Sequence, residues 1–439
     1  MGADRTIRPA SRPKDDILRV RGGRELSGRI CIGGSKNASL PILAACLLTS
    51  EPVTVRNLAE VTDTAVMLAI LSALGCQVAD GTITARQIEA DVPAELARQM
   101  RASIVLLGPL LARTGQVRLP KPGGDMIGDR RVEQHIAGLR RMGASIEETP
   151  SEIIGHADRL HGARIVLDMP TVTGTENLMM AATLAEGRTE IINAAREPHV
   201  EDLARMLNAL GANVLGAGTH EVVVEGVASL HGGEHAVIAD YLEAGTYAMA
   251  VAAAGGDVHL ECSPVDDLPM LLLKLEEAGV GIEVEGDDLH VTRRRGQELR
   301  AVDLTTWVHP GFPTDLQAQY TALMTQARGT STISEFLFEN RFQHVPDLVK
   351  MGAVIELRAR TALVKGPSHL VGADVVVPDI RSGAALVIAA LCAEGDTVLH
   401  RSWHVDRGYP DLVARLTELG AQIRRESLPG EHPDSGTYE

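Results

Sequence analysis

A single interval recurs along this 439-residue chain and limits its folds more than any other feature. The strings Ala-Leu-Gly75, Arg-Met-Gly143, Ala-Leu-Gly211, Glu-Ala-Gly279, Lys-Met-Gly352 and Glu-Leu-Gly420 each close an apolar-periodic stretch. The spacings are 143−75 = 68, 211−143 = 68, 279−211 = 68, 352−279 = 73 and 420−352 = 68. Equal intervals with matching flanks define a repeat architecture of six units.

The units read alike. An Ala-rich apolar helix comes first, as in 40–48, 178–185, 247–254 and 386–392. A turn with Gly187, Gly256, Gly329 or Gly395 follows, and then a short β-branched strand such as 53–55, 190–192, 258–260 or 397–399. An amphipathic helix then runs to the repeat glycine, which supplies a left-handed cap. The first helix of each unit is apolar nearly all round, so it belongs inside, with the sheets outside. The pattern predicts an α/β fold of two domains, each of three repeated units with buried helices and outer sheets, and a ligand cleft between them. Residues 1–15 and 426–439 are polar, aperiodic and Pro-containing, and read as disordered tails.

The net charge of −16 argues against non-specific binding to nucleic acid or an anionic membrane. Cys31, Cys46, Cys76, Cys262 and Cys392 are odd in number and contain no CxxC, which fits a reducing, cytoplasmic setting. No apolar run reaches bilayer length. Phosphate-loop, GxGxxG and HExxH signatures are missing, and the 15 histidines do not cluster at metal-ligand spacing, so no metal or cofactor is expected.

What remains is a set of polar strings at the ends of the repeat elements. Gly33-Gly-Ser-Lys36-Asn37 precedes the first buried helix, where a lysine and free backbone N–H groups make either an anion site or a plain solvated turn. Pro122-Gly-Gly-Asp125-Met-Ile-Gly128-Asp-Arg130-Arg131 is either a ligand-approaching loop or a long hairpin turn. In Phe312-Pro-Thr314-Asp315 the carboxylate is either functional or an ordinary N-cap. Arg341, Arg381 and Arg407 each read alone as half of a surface ion pair. Together with Lys36, Arg101 and Arg130 they would suit bidentate phosphate and carboxylate binding.

These strings, with Met100-Arg-Ala-Ser, Gly174-Thr-Glu-Asn, Ala194-Ala-Arg-Glu-Pro198, Glu339-Asn-Arg-Phe and Asp406-Arg-Gly-Tyr409, carry a resemblance. From about residue 18 to 424 the chain resembles the UDP-N-acetylglucosamine 1-carboxyvinyltransferases, enolpyruvyl transferases of peptidoglycan precursor synthesis. The resemblance implies two inside-out domains, with 16–35 joining 239–425 and 36–238 forming the other. It implies phosphoenolpyruvate and UDP-N-acetylglucosamine as substrates, and a monomer or weak homo-oligomer. Lys36, Arg130 and Arg407 look like the phosphate-holding residues, with Arg381 near the same substrate. Asn37, Arg101 and Asp315 look like the sugar-nucleotide side, Asp315 as base near the sugar 3-hydroxyl. The uridine pocket is implied at Thr171, Val172 and Thr173 and at Arg130, Arg131, Val132, Glu133 and Gln134. Thr314, Arg341 and Asp379 complete the implied substrate-binding set.

Two departures stand out. Asp125 occupies the place of the family's usual loop cysteine. An ordinary Asp is ionised at neutral pH, so it can act as an acid only if the closed, substrate-filled cleft raises its pKa. Fosfomycin, which alkylates that thiol, should then be ineffective. Arg131-Val-Glu133-Gln134-His135 replaces the family's usual Arg-Pro-Val-Asp-x-His, which leaves open an enolpyruvyl transferase with another acceptor. A catalytically silent sugar-nucleotide sensor is the third reading.

Overall fold

The computed structural model describes residues 16–130, 132–294 and 296–427. The stretches 1–15 and 428–439, assigned above to tails, lie outside the described residues. Glu426 and Ser427 do not belong to a tail. They continue the strand Gln422–Ser427, whose partner Asp16–Arg21 sets Ile17 opposite Glu426 and Asp16 opposite Ser427.

The 68-residue interval corresponds to one structural unit: buried helix, strand, outer helix, antiparallel pair. The buried helices are Lys36–Ala45, Leu107–Thr114 with its 3-10 lead-in Arg101–Leu106, Val172–Thr183, Tyr241–Ala254, Gln317–Met324 and Ile380–Cys392. Outer helices such as Thr62–Ala73 and Pro198–Ala209 end one or two residues before the repeat glycine. All six of those glycines adopt φ between +92° and +104°, so each helix stops in the left-handed region that favours glycine. Gly256 and Gly329 depart from the expectation of a turn. Gly256 opens the strand Gly256–Glu261, paired with Leu26 and Arg293, and Gly329 lies inside the strand Ala327–Ser334, opposite Gly366, because both strands begin earlier than their β-branched cores suggested.

The buried apolar side chains fall into two clusters. One draws on residues between Ala38 and Val237, and the other on Leu18–Ile32 together with Tyr241–Ile423. Non-local pairing explains this partition. Leu26–Cys31 lies parallel to Gly256–Glu261, and Asp16–Arg21 takes the place of a hairpin strand beside Gln422–Ser427. In exchange, Gly233–Ala236 lies parallel to Val53–Arg56.

The chain therefore passes between the two clusters twice, near residue 34 and near residue 239, and the two passages bind each other. Ser35 N–H donates to Ile238 O (2.7 Å), and Asp240 N–H to Gly33 O (2.9 Å). Asp240 caps the helix Tyr241–Ala254 and also accepts from Lys36 N–H (3.1 Å). A Cβ at Gly34 would lie 1.7 Å from Asn57 O, so a side chain there would collide with the backbone just after Val53–Arg56.

Candidate functional site

Lys36 opens the first buried helix, with Ser35 as its N-cap, and is 9% exposed. That excludes the solvated turn. Its Nζ lies 2.8 Å from Asp63 Oδ2. Asp63 Oδ1 in turn lies 3.0 Å from Arg407 Nε, and Arg407 Nη1 lies 2.6 Å from Asp125 Oδ1. A continuous chain of charge, Lys36–Asp63–Arg407–Asp125, thus joins residues from opposite ends of the sequence. Arg407 and Asp63 are buried, and Asp125 is 14% exposed. Burial penalises the Asp63 carboxylate, but Lys36 and Arg407 outweigh it and hold its pKa below the ordinary value. The same carboxylates push Arg407 up against the opposing effect of burial.

Asp315 is the second node. It sits in the 3-10 turn Thr314–Leu316 before the helix Gln317–Met324 and does not serve as an N-cap. Its Oδ1 accepts from Arg341 Nη2 (2.7 Å) and its Oδ2 from Arg381 Nη2 (3.1 Å). Burial works against this carboxylate, yet Arg381, Arg341, Lys36 and Arg130 hold it far below the usual range. Arg341 and Arg381 are each 4% exposed, so neither is the surface ion pair that its local sequence suggests. Arg381 also lies over the Tyr409 ring at 5.3 Å.

Arg130 and Arg341, from the two sides, both face the Phe338 ring at 5.8 Å. Burial and the neighbouring Arg101 lower the Arg130 pKa to about 10, a sign of crowded positive charge. Residues 121–130 form an extended loop, not a hairpin. Gly123 and Gly124 let it lie directly on the backbone at Arg98 and Arg101. Its far end is held from across the cleft. Met126 O accepts from Asn340 Nδ2 (2.9 Å) and Gln343 Nε2 (2.6 Å), and Asn340 N–H donates to Ile127 O (3.0 Å). This is a closed arrangement.

Of the residues assigned to the uridine side, Arg130 joins the arginine cluster at Phe338, while the 132–134 and 171–173 segments lie side by side. Thr171 caps the helix Val172–Thr183, and Thr173 Oγ1 lies 3.2 Å from His135 Nε2. Burial and Arg101 lower the His135 pKa to about 3, so it is neutral. Gln134 is spent on the backbone of Asp168 and Met169. Val132 is buried, Glu133 is exposed in the first turn of its helix, and Arg131 lies outside the described residues. Asn37 is half-buried, one residue past Lys36. Thr314 donates to Glu335 (2.8 Å), and Asp379 caps the helix Ile380–Cys392 through Arg381 and Ser382 N–H. These two carry local structure next to the arginines.

Asp63 escaped the sequence reading. An Asp in the first turn of an amphipathic helix is what the helix dipole favours anywhere, so no local signal separates it from a routine acid. Glu197 is similar. Burial raises its pKa, and it accepts backbone hydrogen bonds from Arg196 and, in the other half of the molecule, His309.

The family described as EPSP synthase (3-phosphoshikimate 1-carboxyvinyltransferase) matches residues 20–416. A UDP-N-acetylglucosamine 1-carboxyvinyltransferase of Sorangium cellulosum is 50% identical over 416 residues, covering 93% of this chain and 98% of its own. One from Solidesulfovibrio magneticus is 48% identical, covering 93% and 99%. Among solved structures, the enolpyruvyl transferase NikO from Streptomyces tendae superposes with a TM-score of 0.84 at 27% identity, covering 95% of this chain and 100% of its own. An EPSP synthase from Acinetobacter baumannii, at 19% identity and TM-score 0.72 over 94% and 99% of the two chains, shares the fold.

Proposed function

The chain belongs to the EPSP synthase family, and within it we propose the UDP-N-acetylglucosamine 1-carboxyvinyltransferase reaction. It transfers the enolpyruvyl group of phosphoenolpyruvate to the 3-hydroxyl of UDP-N-acetylglucosamine, releases phosphate, and thereby feeds peptidoglycan synthesis. We place the work in the cytoplasm, in a monomer or weak homo-oligomer. The observation that carries the assignment of roles is the buried charge chain Lys36–Asp63–Arg407–Asp125 beside the Arg341–Asp315–Arg381 node.

The reaction adds an alcohol across an enol and then eliminates phosphate. A proton must reach the methylene carbon while one leaves the sugar hydroxyl, and phosphate then departs as the new double bond forms with loss of a methyl proton. Lys36, Arg130 and Arg407 neutralise charge on the phosphate, most strongly as it leaves. Arg381 and Arg341 are suited to anionic groups by their fixed forks. Arg101, Asn37 and the 171–173 and 132–134 segments hold the sugar nucleotide.

In the structure, Asp63, Asp125 and Asp315 satisfy cations that the substrate's anionic groups would engage. When phosphate takes Arg407, Asp125 exchanges a cationic partner for an anionic one, and an anion beside it favours the protonated carboxyl. That converts it into the proton donor. When the donor carboxylate engages Arg381, Asp315 is released from half of its clamp and regains basicity toward the 3-hydroxyl. Arg407 is the direct partner of Asp125 at 2.6 Å, with Arg130 acting from further off.

The test offers phosphoenolpyruvate with UDP-N-acetylglucosamine, with other UDP-sugars, and with shikimate 3-phosphate, and follows phosphate release. Release with UDP-N-acetylglucosamine alone is expected. Release only with another acceptor would transfer the assignment to a paralogous reaction, and no release with any would leave a sugar-nucleotide sensor.

A further inference from the structure

Away from the cleft, the strand Gly256–Glu261 runs between Leu26–Cys31 and Asp288–Arg293. Strand alternation sends Val258, Leu260, Leu289 and Val291 inward, each fully buried, and so turns Asp257, His259, Asp288 and His290 outward. The antiparallel register sets His259 opposite His290. Their rings stack at 4.1 Å with an interplanar angle of 4°.

Each histidine is held through Nδ1 by a carboxylate: His259 by Asp288 Oδ2 (3.0 Å) and His290 by Glu283 Oε2 (3.5 Å). That leaves Nε2 of His259 as the open nitrogen, while His290 Nε2 meets Asp257 Oδ1 at 2.9 Å. One donor atom from each of Asp257, His259 and His290 lies within 4.8 Å of the other two. A tetrahedral ion with bonds near 2.0–2.1 Å needs donors about 3.4 Å apart. Closing to that spacing takes a turn of the two rings out of their stack as well as a rotamer change at Asp257, which is 69% exposed.

A plain surface network of histidines and acids would not require this arrangement. Exposed ion pairs contribute about 0–1 kcal/mol each, and two imidazolium rings face to face repel. Carboxylates that fix the Nδ1 side and direct Nε2 outward are, in contrast, what orients metal-binding histidines and raises their basicity. Arg29 stands opposite His259 on the neighbouring strand and is paired to Glu261 at 2.9 Å. We propose that Asp257, His259 and His290 form a surface site for one borderline divalent transition-metal ion such as Zn2+ or Co2+, with Asp288 and Glu283 as orienting partners and water completing the shell.

The experiment titrates the chelator-treated full chain with Zn2+ by calorimetry and with Co2+ by absorption. One tight equivalent is expected. The variant H259Q/H290Q should weaken it at least about a hundredfold, and D288N, which touches only the orienting shell, about ten- to a hundredfold. Circular dichroism and unchanged phosphate release in both variants would show an intact protein. Absence of a tight equivalent in the wild type overturns the proposal. Equal affinity in wild type and H259Q/H290Q overturns it too, and would assign binding to exposed pairs such as His156–Asp158 or His369–Glu394.

Discussion

Replacing Asp125 by Asn keeps the shape of the side chain and removes both its charge and its proton. At 2.6 Å and an effective dielectric near 20, its gross attraction to Arg407 is about 6 kcal/mol. Most of that is not lost as stability. Arg407 keeps Asp63 at 3.0 Å, and the variant no longer holds a carboxylate at 14% exposure. A net cost of about 1–3 kcal/mol follows, which for a chain of this size lowers Tm by a few degrees at most. Catalysis should suffer far more. Loss of a general acid costs about 10²–10⁴ in rate, or about 3–5 kcal/mol of barrier. The assay is phosphate release at saturating phosphoenolpyruvate and UDP-N-acetylglucosamine, alongside thermal unfolding. A variant within about threefold of wild-type kcat would refute the acid role.

Asp315→Asn should lower kcat by about 10²–10⁴. It also leaves Arg341 and Arg381 undercompensated at 4% exposure, so its Tm should drop more than that of D125N and recover in part with phosphoenolpyruvate; full activity would refute its role as base. Glu243, beside Gly33 N–H (3.0 Å) and Arg415 (3.0 Å), has its pKa raised by burial to about 7. The folded state then holds more protons than the unfolded chain between about pH 4.5 and 7, so this group's contribution to stability falls as pH rises through that window, by about 3 kcal/mol. In urea unfolding, E243Q should lose that part of the pH slope; a variant parallel to wild type would contradict it. Fosfomycin should neither inactivate the enzyme nor add mass to the 121–130 loop, which carries a carboxylate in place of a thiol. Time-dependent inactivation with a loop adduct would overturn this.

Much of the fold was legible because its information is short-range. Apolar residues at helical spacing and six glycines at a near-constant interval report elements that form from neighbours in sequence. The cations of the site were legible only as candidates. Nothing near Arg341 or Arg381 distinguishes a surface ion pair from a buried clamp on Asp315, and Asp63 looked like any acid in a first helical turn. His259 and His290, 31 residues apart, became a pair only through strand register.

The sequence by itself determined the repeat, the inside placement of the Ala-rich helices and the left-handed helix ends, since each follows from local periodicity and backbone sterics. Tertiary structure alone decided the register in which Asp16–Arg21 pairs with Gln422–Ser427, that Asp63 bridges Lys36 and Arg407, and that Arg407 grips Asp125. Those outcomes depend on which distant strands pair and which buried charges find a counter-charge. Such choices are energetic competitions over the whole chain, and no window of neighbouring residues contains them.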